Sequence, residues 1–221
     1  MDKPYTVQGT ELQPTLALPA DIKIIEYLGK GGRAYGFKAV LGQHSVVVKT
    51  YRKEVAQKYR DKYGVDIAEF EYHRNQALYE LDAIKSYIAK PYRMYTLSSG
   101  YTHSIVQEYV PGKTLKALVA ELGYLPNEIL EAGYDIVKHT EAHGIHDLDI
   151  SSGNIIVSKL DGKWRPKLYD FNLIPQHMFP PNPFLGLAIR LGLRGKSFRD
   201  YRNLKKWERR GKLAQNNSSI C

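Results

Sequence analysis

The chain has 221 residues, enough for one large domain or two small lobes with an ample core. Its 25% charged and 43% hydrophobic content is that of an ordinary soluble globular protein. The single cysteine, Cys221, excludes an intrachain disulfide framework and points to a reducing compartment. No apolar signal core follows Met1, and no stretch offers about 18 uninterrupted apolar residues for a membrane span, so a cytoplasmic location is expected. A formal net charge of +9 and a pI near 9.4 point to an anionic partner, since charge speaks to association rather than to fold.

Residues 1–20, polar and carrying Pro4, Pro14 and Pro19, read as an extended leader. The β-branched run Ile22–Leu28 predicts a strand that enters Gly29-Lys30-Gly31-Gly32 and leaves into a second strand through Ala39. Glycines at such a turn let backbone amides approach phosphate oxygens; the alternative is a plain glycine-rich hairpin. Ser45–Tyr51 reads as a strand with three valines before Lys49, a position where a lysine is commonly just an exposed edge charge. From Val65 to Ile88 the spacing of Phe70, Ala77, Leu78, Leu81 and Ile84 predicts one helix, with Glu69, Glu71 and Glu80 among its acids.

Pro91 ends that helix, and 92–97 and 101–109 alternate like a strand pair turning at Ser98-Ser99-Gly100. The second strand runs into Glu108-Tyr109-Val110-Pro111-Gly112. Two helices are predicted next, Leu115–Leu122 and Asn127–Gly144, with Asn127 as N-cap and Gly144 as a left-handed stop. Then come His146-Asp147-Leu148-Asp149-Ile150-Ser151-Ser152-Gly153-Asn154, an apolar strand, and Asp170-Phe171-Asn172, with Asp170 sixteen residues beyond Asn154.

Beyond Asn172, four prolines (Pro175, Pro180, Pro181, Pro183) mark an irregular connection to a short apolar helix over 184–191. Ten basic residues then fall between Arg190 and Lys212, against only Asp200 and Glu208. Phe198, Tyr201, Leu204 and Trp207 recur every three residues, one helical stripe that would pack on the second lobe. The basic face is either a solvated surface or a binding surface for an acidic partner, lipid or nucleic acid.

In this order the motifs resemble the protein-kinase superfamily from Ile22 to Asn172. The resemblance implies an α+β fold of two lobes: a β-rich N-lobe over 21–110, a minimal helical C-lobe over 111–180 and a basic helical tail over 181–221. It implies that Gly29, Gly31 and Gly32 cover the phosphates of ATP and that Lys49 contacts them. Glu71 is preferred over Glu69 and Glu80 as the partner of Lys49. Backbone around Glu108 and Val110 would meet adenine. Asp149 would orient the acceptor hydroxyl, while Asn154 and Asp170 bind Mg2+.

The details are closest to the small bacterial, RIO-like branch: Asp149-Ile150-Ser151-Ser152-Gly153-Asn154 resembles its D-L-S-x-x-N. The short second lobe with a basic helix resembles lipopolysaccharide core sugar kinases and the PhoP-regulated kinase-like proteins, which adds a peripheral place at the inner membrane surface to the expectations. Departures include Asp147 and Leu148 where the superfamily has His and Arg, Ser151 for its lysine, Ala34 and Asn172 for glycines, and no A-P-E segment in the last 49 residues. The expected activity is ATP- and Mg-dependent phosphoryl transfer to a hydroxyl of a protein or of a phosphorylated glycoconjugate. Two rivals stand beside it: a regulatory or binding module acting through the basic helix, and a small-molecule kinase whose paired acids Asp147 and Asp149 line an acceptor pocket.

Overall fold

In the computed structural model, which describes residues 18–96, 103–171 and 174–218, the N-terminal β-branched runs form five antiparallel strands. They are β1 (Ile22–Lys30), β2 (Ala34–Leu41), β3 (His44–Tyr51), β4 (Pro91–Thr96) and β5 (His103–Glu108), in spatial order β1-β2-β3-β5-β4. The leader through residue 17, the turn at Ser98-Ser99-Gly100, Asn172 and Cys221 lie outside the described residues. Period-2 alternation sends Phe37, Ala39, Val46, Val48 and Val106 to one buried face, where Ile22 joins them. Each large side chain withdrawn from water there contributes about 1.5–3 kcal/mol.

In place of the single helix expected over 65–88 stand one shorter helix, a turn and a 3-10 segment, preceded by a helix that was not expected. α1 (Lys53–Tyr63) ends at Gly64, whose φ of 66° gives a left-handed stop. Asp66 then accepts the N–H groups of Ala68 and Glu69 and so starts α2 (Ile67–Tyr79). After Tyr79 the chain turns and enters a 3-10 segment, Lys85–Tyr87. Leu78 and Ile84 are both fully buried. On a continuous helix they would stand about 120° apart; the turn after Tyr79 brings both into one core.

Two compact units result: Met1–Arg74 with Lys90–Tyr109, and Asn75–Ala89 with Val110–Cys221. The second contains α3 (Leu115–Leu122), α4 (Asn127–Ala142), α5 (Pro183–Arg190), α6 (Phe198–Ser218) and a small antiparallel sheet of β6 (Lys113–Thr114), β7 (Ile155–Leu160) and β8 (Lys163–Leu168). Thr114 caps α3 through the Ala117 N–H. Asn127 is not a cap: Pro126 precedes α4, and Asn127 is its first helical residue. Gly144 does turn left-handed beyond the helix, at φ 73°. α6 lies so close to α4 that a Cβ on Gly133 would come within 2.7 Å of Leu204 Cδ2 and 2.8 Å of Trp207 Cζ3. Leu204 and Trp207 thereby enter the core of this unit, with Ile129, Ile136 and Leu148.

Candidate active site

In the first unit, Gly29 sits in β1 at φ 132°, where the register with β2 slips, a backbone shape that favours glycine. Gly31 and Gly32 form the following turn. The Gly31 N–H donates to Ala34 O at 2.8 Å, while Arg52, at the end of β3, donates to Gly32 O at 2.7 Å. The pairing sets Gly29 opposite Gly36 and Gly36 opposite Lys49. Residues opposed across antiparallel strands share a face. On the β1–β2 side of Lys49 this row therefore carries no side chain, while Ile105 and Met94 continue it on the other side.

Lys49 Nζ donates to Glu71 Oε1 at 2.8 Å, with the two side chains 12% and 1% exposed. The other carboxylate oxygen of Glu71 accepts the Tyr51 hydroxyl, from the same strand as Lys49. α2 thus brings Glu71 to the lysine. Glu69 stands beside His73, half exposed, and Glu80 is exposed in the second unit. At the end of β5, the Glu108 N–H donates to Lys90 O at 2.8 Å and the Tyr109 N–H to Ser45 O at 3.1 Å. Those two amides are taken by the sheet. Val110, the next residue, is buried and belongs to the second unit.

In the second unit the stretch from His146 to Asn154 is a loop bent by two left-handed residues, Asp147 (φ 57°) and Asp149 (φ 58°). Strained backbone of this kind persists only where the surroundings enforce it. Here Asp200 of α6, 1% exposed, accepts the Leu148 N–H at 2.9 Å and the Ile150 N–H at 3.2 Å. Leu148 and Ile150 themselves are fully buried. Between them Asp149 faces outward, 32% exposed.

Asn154 Nδ2 donates to the backbone O of Asp149 at 2.9 Å and lies 3.4 Å from its Oδ2. A carbonyl can only accept, so the amide nitrogen must face the loop and Asn154 Oδ1 is left as an outward acceptor. Directly after Asn154, β7 and β8 form a hairpin, and the Tyr169 N–H returns to Asn154 O at 3.1 Å. Asp170 comes next, one of its oxygens taking the Phe171 N–H at 3.1 Å. One carboxylate and one amide oxygen at the foot of a hairpin are hard donors. They suit a Mg2+ that takes its remaining ligands from water and phosphate. No cluster of three or more His, Cys, Asp or Glu suited to a metal occurs among the described residues.

No protein-family model matches the sequence, and no curated protein matches it. Solved structures do. Residues 1–466 of the protein kinase Rad53, crystallised in complex with AMP-PNP, match at a TM-score of 0.53 and 24% identity, over 69% of this chain and 38% of that one. The fold is protein-kinase-like. Its β-rich N-terminal sheet and helical C-terminal part are those the motifs implied.

Sequence reasoning missed the groups that brace the loop of this kinase-like chain. Arg199 Nη1 lies 3.3 Å from Asp147 Oδ1, and its Nη2 lies 3.6 Å from Asp149 Oδ1. Asn203 Nδ2 approaches the same Asp149 oxygen at 3.5 Å, and Ser197 Oγ is 3.0 Å from His146 Nδ1. Asp147 is fully buried and also accepts the Gln176 N–H at 2.6 Å. It is therefore no wall of an acidic acceptor pocket, which removes the support for the small-molecule kinase reading. The one available signal was Asp200, an acid within a run of basic residues and on the same helix as the apolar stripe.

Proposed function

We propose that the chain is a phosphotransferase that moves the γ-phosphoryl group of ATP to a hydroxyl acceptor. One observation carries this reading: an ammonium group fixed by a buried carboxylate, with two glycines beside it in its row of the sheet on the β1–β2 side. Lys49 meets the α- and β-phosphates, Gly29, Gly31 and Gly32 lie over them, and Glu71 holds Lys49 in place. Backbone between Glu108 and Val110 receives the adenine. In the second unit Asp149 accepts the proton of the acceptor hydroxyl as its oxygen bonds to the γ-phosphorus, the bond to the β-phosphate oxygen breaks, and ADP leaves. Asn154 and Asp170 hold Mg2+, which neutralises the charge on the phosphates.

The RIO-like and lipopolysaccharide-kinase resemblance, together with the basic C-terminal helices, favours an anionic acceptor such as the sugar of a phosphorylated glycoconjugate over a neutral protein hydroxyl, with action at the cytoplasmic side. The test is calorimetry of ATP binding with and without Mg2+, on wild type and Asp170→Ala, followed by a single-turnover assay of Asp149→Asn. Binding should require both Mg2+ and Asp170. Asp149→Asn should bind ATP normally and lose roughly 10²–10⁴ in rate. Absence of ATP binding by the wild type would instead leave a kinase-like binding module acting through its basic helix.

A further inference from the structure

α5 and the turn after it present an apolar face that nothing within the described residues covers. Phe184 is 84% exposed, Leu187 52%, Leu191 61% and Leu193 79%. These are not the frayed side chains of a loose segment. Asn182 caps the helix by accepting the Leu185 N–H at 2.9 Å, and Pro183 occupies its first turn. Leu185 is buried, and a Cβ on Gly186 would meet Pro180 Cγ at 3.1 Å, so the opposite side of the helix is packed. Past the helix, Gly192 turns left-handed and the Arg194 N–H returns to Ala188 O at 3.2 Å, fixing Leu193 beside the helix end.

At 100° per residue, Phe184, Leu187 and Leu191 fall within about 60° of arc, and Arg190 stands at its margin. Arg190, Arg194 and Lys196 are all exposed. Between Asp170 and Asp200 the sequence contains no acidic residue. An exposed apolar stripe bordered only by cations is the composition of an element that lies in a membrane interface. There the apolar side chains sink about 5–10 Å to the acyl boundary and the basic groups meet lipid phosphates. Side chains as exposed as Phe184 and Leu193 would each need a fitted pocket in a protein partner, whereas a fluid acyl layer accepts any projecting shape. Nucleic acid would use the cations and leave the leucines in water. No described helix is long and apolar enough to cross a membrane, so the contact is peripheral.

We infer that α5 and the turn through Lys196 form a membrane-docking element for anionic phospholipid, with Phe184, Leu187, Leu191 and Leu193 inserted and Arg190, Arg194 and Lys196 on the headgroups. This goes beyond the phosphotransferase reading, and its test needs no nucleotide, so the two fail separately. The experiment is co-sedimentation of the full chain with vesicles of phosphatidylcholine alone or mixed with phosphatidylglycerol. Wild type should partition onto the anionic vesicles and far less onto the neutral ones. Phe184→Ser/Leu193→Ser should lower that partition about tenfold or more, as should Arg190→Glu/Lys196→Glu. Both variants change exposed side chains and should keep the wild-type circular dichroism and melting temperature. Failure of the wild type to bind anionic vesicles would overturn the proposal, as would undiminished binding by the serine variant. A wild-type dimer in lipid-free buffer that Phe184→Ser/Leu193→Ser converts to monomer would overturn it too, by assigning the face to a second copy of the chain.

Discussion

Lys49 and Asp149 draw their support from opposite distances along the chain. Lys49 is held by Glu71, 22 residues on, and the glycines in its row belong to the two preceding strands. Asp149 sits in a loop whose shape is imposed by Asp200, an acceptor 52 residues from Leu148 and 50 from Ile150. The first arrangement is assembled by neighbouring strands and the helix after them. The second requires α6 to be in place, so the basic tail is part of the loop's architecture rather than an appendage.

The widest effect should come from Asp200→Ala. It strands two buried N–H groups, each at a cost of about 1–3 kcal/mol, against a loop that already holds two left-handed residues. Urea unfolding should show that loss, and Asp200→Asn, which keeps one acceptor oxygen, should recover part of it. A stable Asp200→Ala protein would break the contrast, because the loop would then hold its shape without α6. Lys49→Met should come next. It removes the ammonium partner of the buried Glu71 carboxylate, at a cost of about 3 kcal/mol, the low end for a broken buried pair. Tyr51→Phe should cost less than Lys49→Met, since it removes a neutral donor and spares the ion pair.

The smallest effect is a pH dependence within the second unit. Tyr134 donates to Glu208 at 2.7 Å and Tyr201 to Glu141 at 2.8 Å, two fastenings between α4 and α6. The hydrogen bond to Glu208 pushes the Tyr134 phenol up to about 12, and burial, followed by the bond to Glu141, pushes Tyr201 up to about 12. An unfolded tyrosine titrates near 10. The folded values lie above it, so the stabilisation is fully present below about pH 10 and is lost as pH rises toward 12. Stability measured between those limits should fall in the wild type, and Tyr134→Phe/Tyr201→Phe should flatten the dependence. The loss of late-titrating phenolate absorbance in Tyr134→Phe/Tyr201→Phe would report these two groups.

What the sequence made legible follows the same division. The strands, the glycine turn, Lys49, and the separation of Asn154 from Asp170 are patterns of period two or of short spacing, and the chain alone carries them. The break after Tyr79 was hidden because a helical stripe through Leu78, Leu81 and Ile84 can be drawn on paper. In the structure Leu78 and Ile84 share one core across the turn. α1 buries little beyond Ala56, so it left no apolar stripe to find. Arg199 and Asp200 were read as members of a charged tail, since nothing local says that one reaches two acids in the loop and the other accepts from its backbone. Asn127 was a sound cap by composition, but the fixed φ of Pro126 starts the helix one residue earlier than a capping asparagine would.

The hairpin of β7 and β8 closes through Asp161 and Gly162, both at positive φ, in a two-residue turn. Six residues go out and six return, so the distance in sequence between Asn154 and Asp170 is a matter of parity rather than of length. A pair of residues added symmetrically, one to each strand, would lengthen the arm and leave its foot untouched. A single residue added to one strand would turn every side chain beyond it to the opposite face. The hairpin therefore works as a measuring rod whose free end can be extended, tagged or labelled, provided that both edges grow together.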